Sequence, residues 1–178
     1  MEASTSNNVM VNPNRHRAES KATRVAVILL LIVSALLTAV VGVGGSAVLP
    51  PSLQFFTFGA IILFFLLAYF VFKWSRGVLA MSAALAVLIA VLSIVASLGW
   101  FSRDQVGFKE PLIPAGILGL VCIVLVPVLL LLVAFAMRGF NQAWNIEVAV
   151  SEEEANENLA SKFDESGRRI QHQDDDEG

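Results

Sequence analysis

Charge is almost missing from the middle of this chain. Between Arg24 and Arg138 the only charged residues are Lys73, Arg76, Arg103, Asp104, Lys109 and Glu110. Around them lie four apolar runs, at about 25–48, 53–72, 77–101 and 112–137, with no charged residue inside any of them. Ionisable groups within a bilayer are expensive and mark proton relays, ion pathways or counter-ions. Runs without them carry none of that chemistry. Histidine is confined to the polar ends, at His16 and His172, which excludes His ligation of a haem at membrane depth. Cysteine occurs once, as Cys122 within an apolar run, so no intrachain disulfide can form. No base neighbours that thiol in sequence to make it a thiolate, and it reads as a small packing residue. The acid pairs, Ser–base pairs and metal-ligand sets of intramembrane proteolysis are missing from the spans too. Asp174, Asp175, Asp176 and Glu177 form a dense acidic run, but without the glycine and spacing of an EF-hand loop. The chain is therefore read as a non-enzyme with no cofactor, no metal site and no catalytic residue. It offers no nucleic-acid surface, and no small-molecule substrate is evident.

Apolar length is what the chain has in abundance. Of its 178 residues 56% are hydrophobic, above the roughly 45–50% of a soluble domain. At about 1.5 Å per helical residue, each run can cross a hydrocarbon core of about 30 Å. The expected fold is all-α: an integral membrane bundle of four antiparallel transmembrane helices, occupying 24–138. The first run is far longer than the 7–15-residue core of a signal peptide and is read as a retained helix. Pro50 and Pro51 separate the first two spans. The short link 73–76 makes spans two and three an antiparallel hairpin. Pro111 and Pro114 sit at the start of the fourth span, where a missing N–H is tolerated, whereas Pro127 lies inside it and predicts a kink.

The small residues have an order. Ala83, Ala86, Ala90, Ser93 and Ser97 recur at spacings of three and four, on one face of the third span. Ser34, Thr38, Gly42 and Ser46 recur every four residues along the first. In lipid, helices associate by close packing rather than by hydrophobic exclusion, so such stripes mark helix-packing faces. The two stripes are expected to meet inside the bundle. A Ser/Thr-lined water path is the sharper alternative for the same hydroxyls. The second span is the aromatic one, with Phe55, Phe56, Phe58, Phe64, Phe65, Tyr69, Phe70 and Phe72 distributed around it.

Outside the spans, 1–23 reads as a disordered arm, basic near its end, and 139–178 as an acidic tail with a short helix at about 152–163. Net charge is +2 over 1–24, +2 over 25–137 and −7 over 138–178, which makes up the total of −3. Arg15, Arg17, Lys21, Arg24, Lys73, Arg76 and Arg138 all fall on one side, while Arg103 and Lys109 face an acid each on the other. The Lys/Arg bias places both termini in the cytoplasm, with the cell (plasma) membrane as the expected location. Trp74, Trp100 and Trp144 are expected at the membrane–water interfaces. Two regions look suited to contact: the exoplasmic loop with Trp100, Phe101 and Phe108, and the tail face of Leu159 and Phe163. That tail face meets either a protein partner or the chain's own basic rim of Arg17, Lys21, Lys73 and Arg76. The expected role is an accessory, assembly or scaffold subunit of a larger membrane complex, partnered by the lipid bilayer and by a membrane protein. The alternative is a pore or small-solute transporter built by self-association.

Overall fold

The computed structural model describes residues 8–151, 162–164 and 166–170. The chain is an all-α four-helix bundle with a small polar cap at one end. In order it runs β1 (Asn8–Val11), α1 (Pro13–His16), α2 (Ala18–Gly44), α3 (Pro51–Phe72), α4 (Gly77–Arg103), α5 (Ala115–Asn141) and β2 (Val148–Ser151). Helices α2 to α5 are each long and apolar enough to cross a membrane, which defines a multi-pass integral membrane protein. Their outward faces are apolar, as with Leu29, Phe55, Leu98 and Leu120. Among the described residues only α2 and α5 carry charge beyond their first or last residue, and there it sits in the end turns.

Packing order does not follow chain order. Helix α4 lies closest along α5, α2 lies between α3 and α5, and α3 and α4 approach each other least of the neighbouring pairs. The stripe Ala83, Ala86, Ala90, Ser93 and Ser97 is buried, and it gives α5 its close approach to α4. Ser34, Thr38 and Gly42 are buried as well, but α2 presents them toward α3 and α5. The two stripes therefore do not pack along each other, because α2 and α4 stand diagonally across the bundle; only Thr38 and Ser93 come to a common cavity. Gly42 shows the closeness of α2 to α3: a Cβ there would lie 2.7 Å from Thr57 Cγ2. Ser46, at the end of α2, is only half buried and turns its hydroxyl back to the Val43 carbonyl at 2.8 Å.

The helices extend past the uncharged runs. α2 begins at Ala18 and α5 ends at Asn141, so they project about two turns and about one turn beyond their apolar segments on the side of the chain ends. Helix α5 continues through Pro127 as one element, with the proline on its exposed side. There it removes one backbone hydrogen bond without interrupting a packed face.

The arm is a second departure. Rather than being disordered throughout, residues 8–11 pair antiparallel with 148–151, Val9 opposite Val150 and Val11 opposite Val148. Both runs are rich in Val, which suits a pleated, half-buried surface. A lone two-stranded ribbon is marginal in water. Here Phe163 packs beneath it with Val150, and both are buried. Most of the helix expected at 152–163, Leu159 included, lies outside the described residues.

Ala86 is wholly buried on α4. Replacing it with Leu forces the backbones of α4 and its neighbours apart, and Ala86→Leu is expected to cost about 1–3 kcal/mol. Thermal unfolding in detergent checks this, with Ala84→Leu on the exposed face of α4 as the control that leaves the midpoint near wild type.

Candidate functional site: a basic cap and a lateral cavity

The cap is built around two tryptophans. Trp74, in the α3–α4 link, and Trp144, just after α5, meet edge to face with ring centres 5.1 Å apart and planes at 80°. Trp144 is completely buried and donates its Nε1–H to Gln142 Oε1 at 3.1 Å; Gln142 in turn donates to Thr23 Oγ1 at 3.1 Å. The backbone bends sharply to bring them together. Trp74 has φ 62° and Ala143 φ 48°, both in the left-handed region. Such a conformation costs a non-glycine residue about 1–2 kcal/mol, which the buried ring contact offsets.

Onto this pair the N-terminal arm is tied by side chains that reach the carbonyls of the C-terminal segment. Asn12 Nδ2 donates to Ile146 O at 2.9 Å, Asn14 Nδ2 to Ala143 O at 3.2 Å, and Arg15 Nε to Trp144 O at 3.0 Å. Arg17 Nη2 donates to Phe163 O at 2.7 Å. The basic rim thus receives Phe163 from the chain's own tail.

The cap's arginines, among the described residues, are met by carbonyls and rings more than by carboxylates. Among the described residues one ion pair is seen, Glu19 to Arg138 at 3.5 Å, and both side chains are more than half exposed. An exposed pair of that kind contributes about 0–1 kcal/mol. Arg24 donates instead to the Phe72 carbonyl and lies over the rings of Phe72 and Trp74, 4.7 and 4.4 Å from their centres. Arg76 donates Nε to Phe140 O at 2.8 Å and stacks 4.4 Å above the Phe140 ring. Phe72 and Phe140 lie in the last turns of α3 and α5, where carbonyls lack helical partners and the helix dipole is negative. Two outgoing helix ends are therefore neutralised by arginines from neighbouring segments.

A turn closes the described tail. Asp164 accepts hydrogen bonds from Ser166 Oγ at 2.7 Å, Arg168 N at 2.8 Å and Ser166 N at 2.9 Å. These bonds, the Ser166 hydroxyl foremost, hold the Asp164 carboxyl below its ordinary value.

At the far end of the bundle, away from the cap, lies a cavity of about 450 Å³ between α3 and α4. Leu53, Phe56, Ile89, Leu92 and Trp100 lie along its sides, Thr38 and Val41 of α2 border it as well, and Cys122 and Leu125 on α5 reach its floor. Trp100, near the end of α4, is buried there, its ring filling the space left by Gly45 of the α2–α3 link. A Cβ on Gly45 would come within 2.5 Å of that ring. Two of its four hydroxyls are turned inward on their own helices: Thr38 Oγ1 donates to Ser34 O at 2.7 Å and Thr57 Oγ1 to Leu53 O at 2.8 Å, while Ser52 and Ser93 complete the polar part of the lining.

Of the contact candidates, Phe101 rests partly on Gly119, Phe108 is exposed in the far loop, and Trp100 and Phe163 are covered by the chain itself. The Trp74–Trp144 pair, the ribbon and the cavity had no expectation attached. The short Val-rich runs at 9–11 and 148–150 are the sequence signal that points to the ribbon. Compared with protein-family models, curated proteins and solved structures, the chain matches none.

Trp144→Ala is expected to cost about 3–5 kcal/mol and to speed amide exchange over Val9–Val11, since the carbonyls that hold Asn14 and Arg15 lose their anchor. Trp144→Phe, which keeps a buried ring, is expected to lose less on both measures. Exchange at the Arg168 amide tests the Asp164 turn. Because the carboxyl is lowered in the folded chain, its stabilisation is complete above the ordinary Asp value of about 3.9. It is lost as pH falls through the lowered value, so Arg168 protection should persist below the ordinary value and then collapse.

Proposed function

We propose that this chain is a non-catalytic accessory subunit of a larger assembly in the cell membrane, with both termini on the cytoplasmic side. The observation that carries the reading is the far loop. Val106, Phe108 and Leu112 stand exposed there between the charged pairs Arg103/Asp104 and Lys109/Glu110. An apolar cluster rimmed by polar residues is the usual mark of a contact surface. With Trp100 and Phe163 already covered, this loop is where a protein partner finds apolar surface outside the bilayer. The cytoplasmic reading of the termini is supported by the gathering of Arg15, Arg17, Lys21, Arg24, Lys73 and Arg76 at the cap end, while each far-loop cation has an acid beside it in sequence.

A self-associated water pore fits less well. Thr38, Thr57, Ser82 and Ser97 spend their hydroxyl donors on carbonyls of their own helices. That leaves Ser34, enclosed in the packed core, and Ser93, on the apolar cavity, on two helices that stand diagonally across the bundle and form no file. A polar path across the bundle would need such groups facing a shared channel.

Purification of the untagged chain in mild detergent, with crosslinking, tests the proposal. A discrete membrane-protein partner should co-purify, and Val106→Asp/Phe108→Asp should release it while the melting temperature of the bundle stays unchanged. Recovery of the lone chain at every expression level, or a partner retained by the double variant, overturns it.

A further inference from the structure

We propose that the cavity between α3 and α4 holds one acyl chain of a phospholipid from the leaflet at the far end of the bundle. Its depth is the first argument. Along α4 the wall runs from Trp100 back to Ile89, about 16 Å at 1.5 Å per residue. That is half of a hydrocarbon core of about 30 Å, the depth of a single leaflet. On α3 the same wall runs from Ser52, at the helix start, to Ala60 near its middle. Ile89, Ala60 and Leu125 close the inner end, so the space stops near the bilayer midplane.

Its chemistry is the second. The volume of about 450 Å³ lies within the roughly 300–1,000 Å³ of ligand pockets. No charged residue lines it. Thr38 and Thr57 are bonded within their own helices, and the other two lining hydroxyls, Ser52 at the mouth on α3 and Ser93 deeper along α4, do not converge. A water inside would therefore not find the 2–4 polar partners it needs. A polar ligand would surrender its hydration for nothing. An apolar chain loses no hydrogen bond on entering, and it restores the dispersion contacts that an empty apolar space forfeits.

Access is the third. The opening lies laterally, along the seam where α3 and α4 approach least, and Phe56, Leu92 and Val95 at that seam are exposed on the outer surface of the bundle. In a membrane-spanning bundle that surface borders lipid tails. The occupant therefore enters sideways from the leaflet, with its headgroup left near Ser52.

The full chain, reconstituted in phosphatidylcholine vesicles doped with a phosphatidylcholine bearing a diazirine on one acyl chain, tests this by photolabelling and peptide mapping. Adducts are expected on Cys122 and Leu125, each only 2% exposed, as well as on outward-facing Phe55. Ala96→Trp places a ring in the cavity and should lower the Cys122 and Leu125 adducts several-fold while Phe55 labelling holds. Ala96→Phe serves the same purpose should the larger ring unfold the bundle, as judged by the melting temperature. Absence of adducts at Cys122 and Leu125, or their persistence in a folded filled-cavity variant, overturns the proposal. Labelling of those residues by a diazirine fatty acid but not by the phospholipid overturns the assignment to a bilayer lipid.

Discussion

Helix α4 is drawn onto α5 because the middle of its inward face consists largely of Ala and Ser. In lipid no hydrophobic force presses helices together, so backbone proximity decides which pairs hold. Ala83, Ala86, Ala90, Ser93 and Ser97 let α5 come close along much of α4. Helix α3, crowded with Phe and Tyr, offers α4 no comparable face and packs on α2 through Ala60, Phe64, Leu67, Ala68 and Val71. The link at 73–76 ties α3 and α4 together at the cap end only. They are therefore joined at one end and loosely packed at the other, and the lateral cavity occupies the loosely packed half. One packing preference thus accounts for both the bundle's order and its open seam.

The cap solves a different problem. Two helices end there with unpartnered carbonyls, and many cations gather there, with one ion pair among the described residues. Arg24 and Arg76 answer both needs, placing positive charge on the negative ends of α3 and α5. Ring faces supplement the carbonyls: a guanidinium that stacks on Trp74 or Phe140 keeps favourable electrostatics while partly desolvated. The Trp74–Trp144 contact then joins the α3–α4 link to the end of α5, and the arm and tail are fastened over it.

Much of the membrane region was legible from residue order. Absence of charge and sheer apolar length locate four spans, and the spacing of Ala and Ser identifies buried faces on α2 and α4. Which stripe meets which was not legible, since periodicity reports that a face is buried and not what covers it. The tryptophans illustrate the same limit. Their amphipathic rings suit an interface, but the sequence does not show that Trp100 packs against Gly45, far off in the chain, or that Trp144 folds back over Gly139, five residues before it. The N-terminal arm misleads for a related reason: its polar composition argues against a core of its own, but residues 8–11 borrow one from Val150 and Phe163.

Local chemistry of the chain alone determined the class of protein, the number of spans and the segregation of charge to one end, because transfer of each residue between water and lipid depends on that residue and its immediate neighbours. Tertiary structure decided the packing order of the helices, the burial of two tryptophans, the joining of arm to tail and the opening between α3 and α4. Those depend on which small residue faces which large one across the bundle, a relation between positions far apart in the chain that no local pattern encodes.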